Sequence, residues 1–87
     1  MIPNQEIFEK LRPLIWDCIN FTDPNTVKPE ANFSKDLRAT ETDIEELVMM
    51  VQTHFDIVIP DEDIANLLNG TVQDAVNYVA AKVEEAQ

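Results

Sequence analysis

Few side chains in this sequence can do chemistry, and their spacing narrows what that chemistry could be. His54 is the single histidine. A catalytic base needs a nucleophile and an orienting acid within hydrogen-bond reach, and its nearest acid, Asp56, sits on a segment leaving the helix that carries it. No nucleophile, base and orienter can be assembled from this spacing, and His54 reads as a partly exposed helix-end residue set against the negative end of the helix dipole. Ser34 is the single serine in the chain and reads as a turn or cap residue. Cys18 is the single cysteine, so an intrachain disulfide is excluded and no Cys and His cluster offers zinc-ligand spacing. Asp61, Glu62 and Asp63 invite a calcium reading, but an EF-hand loop needs Gly at its sixth position and Glu at its twelfth. Asn66 stands at the sixth and Val72 at the twelfth. The sequence therefore predicts no enzyme and no metal site, with at most weak divalent binding that relieves acidic self-repulsion.

The elements that must position these residues follow from hydrophobic periodicity. Ile7, Leu11, Leu14, Ile15, Cys18 and Ile19 recur at three- and four-residue steps, which predicts a first helix from about Asn4 to Asn20. Pro13 falls inside it and should kink or restart the helix, because a proline removes one backbone bond and clashes with the preceding turn. Trp16, Phe8 and Met50 are expected in core or shoulder packing. "FTDPNTVKPEAN" from Phe21 to Asn32 has no helical stripe and reads as a long connection. Val27 and Phe33 are its expected anchors. "FSKDL" supplies a short turn that packs Phe33 and Leu37 inward.

A second helix begins near Thr40. Two overlapping caps are available there, Thr40 with Asp43 or Thr42 with Glu45, and the second is the better capping box by side-chain type. Ile44, Leu47, Val48, Val51 and Phe55 follow one face. A proline followed by acids after Ile59 suits the first turn of a third, short helix with Ile64, Leu67 and Leu68 inward. Asn69 and Gly70 should stop it, with Gly70 in a left-handed cap. Thr71 then caps a last helix striped by Val72, Ala75, Val76, Val79 and Val83. The prediction is an all-α single domain over residues 1–87.

Seventeen acids against six bases leave a formal charge of −11. That charge repels phosphate backbones and anionic membrane surfaces and favours partners carrying Lys and Arg patches. Between Glu41 and Asp63 there is no Lys or Arg at all. Hydrophobic residues make up 45% of the chain, as expected of a globular rather than a disordered protein, yet no apolar run approaches membrane-spanning length. With no leader-like start at "MIPNQEIFEK", the expectation is a cytoplasmic, monomeric protein without membrane insertion and without nucleic-acid binding.

The order of three stretches carries a resemblance. "ELVM" at Glu46 to Met49, "FDIVIPDED" at Phe55 to Asp63 and "TVQDAVNYV" at Thr71 to Val79, with Phe33 and the Asp36–Leu37 pair ahead of them, resemble an acyl carrier protein over more than half of the chain. The resemblance implies an up-and-down four-helix bundle with a long first loop and a short third helix. It also implies a phosphopantetheine arm on the serine of an Asp-Ser-Leu motif at the start of the second helix. Counted back from "ELVM", that motif falls on Thr40, Glu41 and Thr42, and all three positions differ from it.

Glu41 thus stands where the resemblance places the attachment serine, and it cannot substitute for one. The modifying transferase needs a hydroxyl to form a stable phosphodiester, whereas a carboxylate would give an acyl phosphate that water cleaves. Thr40 and Thr42 carry hydroxyls, but a one-residue step along a helix turns a side chain by about 100° and shifts it by about 1.5 Å. The added methyl also crowds and stiffens the nucleophile. Thr42, on the helix proper, ranks ahead of Thr40 as an alternative attachment point. Without any arm, "TETDIEE" makes a good helix start, with a threonine cap and carboxylates at the positive end of the dipole.

The resemblance further places a protein partner with a basic patch, of the fatty-acid or polyketide biosynthetic type, on the second helix and the start of the third. Glu45, Glu46, Asp61, Glu62 and Asp63 would steer it, and Met49 would make contact, the alternative by its place on the helix being a core-packing methionine. Glu45 replaces an apolar contact residue of the family and Gln52 and Thr53 replace acids, which implies an altered partner set. No cofactor is expected, and phosphopantetheine only under the alternative attachment at Thr42 or Thr40. A free lipid in a small core cavity carries little weight, since an untethered chain meets its full binding cost.

Overall fold

Residues 3–19 and 27–86 are described by the structure, a computed structural model. Among the described residues four α-helices run in chain order: α1 at Asn4–Cys18, α2 at Glu41–Phe55, α3 at Ile64–Asn69 and α4 at Val72–Ala86, with a 3-10 turn at Asp61–Asp63 leading into α3. This is the four-helix bundle with a short third helix that the periodicity and the resemblance imply. α1 packs against both α2 and α4, and α3 packs against α2.

Each long helix buries the stripe its spacing dictates. Ile7, Leu11, Ile15 and Cys18 of α1, Ile44, Leu47, Val48 and Val51 of α2, and Val72, Ala75, Val76, Val79 and Val83 of α4 meet in one core. Apolar burial of this kind, at roughly 25 cal/mol per Å² removed from water, is the main force holding the helices together. Phe33 and Val27 anchor the loop into it, Phe33 with no exposed surface, and Leu37 and Ile57 close its ends. Part of the predicted connection, including Phe21, lies outside the described residues.

Four local expectations need correction. Of the kink or restart expected at Pro13, the restart does not occur, since α1 is one helix from Asn4 to Cys18. The proline is exposed, and buried residues on both sides of it hold the two halves against α2 and α4. Trp16 is not a core residue: it is 48% exposed, because it lies one step, about 100°, from buried Ile15. The cap of α2 is Thr40 and not Thr42. Thr40 Oγ1 accepts from the Asp43 amide at 3.2 Å and the Asp43 carboxylate accepts from the Thr40 amide at 3.0 Å. The upstream chain fixes this register, since the Ala39 amide donates to the Phe33 carbonyl at 2.8 Å and Phe33 is immovable in the core.

Gly70 ends α3 as expected, but in extended backbone (φ −98°, ψ −174°) and not in the left-handed region. Glycine is needed there for closeness: a Cβ would stand 3.0 Å from an Asp74 carboxylate oxygen and 3.3 Å from the Asn66 carbonyl. That carboxylate is occupied, because Thr71 and Asp74 form the capping box of α4 through bonds of 3.0 and 3.1 Å.

Candidate functional site

The head of α2 and the 3-10 turn come together on one side of the bundle. Thr40 is the cap, Glu41 the first helical residue, and Glu41, Thr42 and Glu45 are all exposed. Across from them stand Asp61 and the first residues of α3. Between the two lies an open groove of about 480 Å³ lined by Glu41, Glu45, Val48, Met49, Gln52, Ile59, Asp61, Ile64 and Ala65. Carboxylates form its rim, and its floor is apolar.

Of the residues singled out for partner contact, the groove unites Glu45, Met49 and Asp61, and adds Glu41. Met49 is 67% exposed, too open for a core residue. Three others point elsewhere. Asp63 accepts a hydrogen bond from the Tyr78 hydroxyl of α4 at 2.5 Å. Glu46 is exposed on the side of α2 facing α1, where its charge, after burial itself and together with Asp17 and Asp43, pushes the Cys18 thiol above its usual range. Glu62 is exposed beyond the groove and is among the acids that oppose ionisation of Tyr78.

Sequence reasoning missed the groove floor. Ile59 is buried and its amide donates to the Gln52 side chain at 2.7 Å, so Gln52 clamps the link between α2 and α3. The alternation in "DIVIP" was the available signal: Ile57 and Ile59 are buried while Val58 between them is 78% exposed. Tyr78 was also missed. It flanks the α4 stripe, and a half-buried tyrosine needs a partner for its hydroxyl.

The remaining candidates behave as turn, cap and packing residues. Ser34 donates through its amide and its hydroxyl to the Asn32 side chain, both at 3.0 Å. His54 is exposed in the last turn of α2, edge-on to Phe55 at 5.4 Å between ring centroids. Met50 is half-buried, with its sulfur 3.1 Å from the Cys18 sulfur. Among the described residues no group of His, Cys, Asp and Glu is placed to hold a metal ion, and no helix is long and apolar enough to cross a membrane.

A curated relative settles the ancestry of this arrangement. The acyl carrier protein of Picosynechococcus sp. (strain PCC 7002) is 47% identical over 79 residues, covering 91% of this chain and 94% of the relative. This chain belongs to the acyl carrier protein family. It is therefore related to carriers and is not an enzyme. No protein-family model matches the chain.

The family's phosphopantetheine can be tested against the residues at the head of α2. The arm requires a side-chain hydroxyl that is free to form a phosphodiester. Glu41 offers a carboxylate, and the Thr40 hydroxyl is engaged in the cap. These two do not fit the group. Thr42 keeps an exposed hydroxyl one residue further into α2. Among the described residues, an apolar void of about 20 Å³ lies between α1, α2, α3 and α4. That is about the volume needed to admit a single water-sized sphere, far short of an acyl chain.

Proposed function

We propose that this member of the acyl carrier protein family acts as an acidic docking module without a phosphopantetheine arm. The observation that carries the reading is Glu41 at the first position of α2, directly after a threonine whose hydroxyl is committed to the cap. The partner is a protein with a basic docking patch, of the fatty-acid or polyketide biosynthetic type, met by this chain as a monomer in the cytoplasm. Glu45, Glu46, Asp61 and Glu62 steer it by long-range attraction, with the charge on Asp63 adding to the field. Met49 and the groove floor then supply apolar contact.

A second reading is a working carrier modified at Thr42, ahead of Thr40. The exposure of Thr42 on the first turn favours it.

Intact mass after incubation with coenzyme A and a broad-specificity phosphopantetheinyl transferase separates the two. The docking reading expects no added mass on the natural sequence and a pantetheine-sized gain in Glu41→Ser. A gain on the natural sequence that disappears in Thr42→Ala would overturn it in favour of a carrier with a displaced arm.

A further inference from the structure

The short helix α3 forms one wall of the groove, and its hold on the fold is uneven. At six residues it is well below the roughly 12 to 15 at which an isolated helix becomes even marginally stable. Neither α3 nor the 3-10 turn before it contains a fully buried residue, and Ile64, Leu67 and Leu68 are only half-buried. Its position therefore rests heavily on the bonds at its two ends.

The C-terminal end is tied twice to the loop before α2. The Phe33 amide donates to the Gly70 carbonyl and the Asn32 side-chain amide donates to the Asn69 carbonyl, both at 3.1 Å. Phe33 is fully buried, so this end is fixed to the core. Ahead of the N-terminal end, buried Ile59 is clamped by the Gln52 side chain at 2.7 Å, and past that point the 3-10 turn is held across the bundle by the 2.5 Å bond from the Tyr78 hydroxyl to Asp63. A hydrogen bond to a carboxylate is about twice as strong as a neutral one. The Lys82 ammonium stands 5.6 Å from the Tyr78 ring centroid and helps to fix the ring.

Side chains of this one element point three ways. Asp63 faces α4, Leu67 faces the interior void, and Asp61 and Ile64 face the groove. We propose that the Tyr78–Asp63 hydrogen bond is a latch that sets the position of α3 and, with it, the width of the α2–α3 groove. Tyr78 is thus a positioning residue that acts on the docking surface from the opposite face of α3. With the latch released, α3 shifts between two fixed points, Ile59 clamped by Gln52 and Gly70 tied to Phe33, and the groove-lining Ile64 and Ala65 between them move most. The docking role of this motion rests on the proposed function. The latch itself does not.

Amide hydrogen exchange on the whole chain tests it, with Tyr78→Phe, Asp63→Ala and the double variant. The latch predicts that the amides of Leu67, Leu68 and Asn69 exchange about tenfold faster in each single variant, as expected for loss of a hydrogen bond to a charged group. Exchange in α1 and α4 stays within about twofold, and the double variant is no faster than the singles. Unchanged α3 exchange, or acceleration of every helix together, overturns the latch. Should Tyr78→Phe fail to fold, Asp63→Ala at a partly exposed position carries the same test. Because exchange needs no partner, failure here leaves the docking reading standing, and the mass experiment tests that reading separately.

Discussion

Thr40 and Asp43 bond to each other reciprocally, each side chain accepting from the other's backbone amide. This fixes Glu41 as the first residue of α2 and leaves Thr42 outside the cap. Thr40→Ala should therefore lower unfolding stability by about 1 kcal/mol, the usual loss for an N-cap hydroxyl. Thr42→Ala should change it by no more than about 0.5 kcal/mol, as at other exposed positions. Urea denaturation of both variants checks this; an equal loss at Thr42 would place the cap two residues later.

Tyr78 gives the fold an alkaline limit. Burial, followed by the hydrogen bond and charge of Asp63, raises its pKa well above the ordinary tyrosine value of about 10. A raised folded-state pKa means that the native protein holds the phenolic proton longer than the unfolded chain does. The stabilisation is complete below about pH 10 and is lost progressively as pH rises above it. Chemical denaturation between pH 9 and about pH 11.5 should show stability falling more steeply in the natural protein than in Tyr78→Phe.

The charge of −11 lowers stability through self-repulsion, and salt should return part of it. Raising NaCl from about 10 mM to 150 mM shortens the Debye length from about 30 Å to 8 Å. Thermal unfolding should shift upward by about 4 °C or more, which for a domain of this size corresponds to about 1 kcal/mol. A melting temperature that falls with salt would show that the exposed ion pairs Lys10–Glu6 and Lys82–Glu85 outweigh the repulsion.

Arg38 sits just ahead of α2 with φ 56°, in the left-handed region where a side chain is strained. Its side chain is exposed. Arg38→Gly should stabilise the protein by about 0.5 kcal/mol, strain relief of about 1 kcal/mol or more being partly offset by the freer unfolded chain. Arg38→Ala keeps the Cβ and should gain nothing in the same denaturation assay.

The parts of this structure legible in the sequence were those fixed by periodic burial. Ile7, Leu11 and Ile15, or Val72, Val76 and Val79, need only their own spacing to declare a buried face. Thr71 could be assigned as a cap for the same local reason. Where a choice depended on distant chain, spacing was not enough. Thr40 and Thr42 offered overlapping boxes, and the tie from Ala39 to Phe33 chose between them. Gly70 looked like a left-handed stop, but crowding by Asp74 and Asn66 is what makes it glycine. The groove was hidden because it exists only once α3 is laid against α2, which brings Asp61 opposite Glu45 from sixteen positions away in sequence. That same placement turns Asp63 towards Tyr78, a pairing that no motif in the chain announces.

The interior void of about 20 Å³ also bears on how the molecule responds to compression. Pressure unfolds proteins chiefly by eliminating the empty space they enclose, and typical volume losses run from about 20 to 100 mL/mol. A void of this size, lying among the described residues, has little volume of its own to surrender. Enlarging it should make the fold yield sooner: Val79→Ala, which widens the void, should unfold at lower pressure than the natural protein.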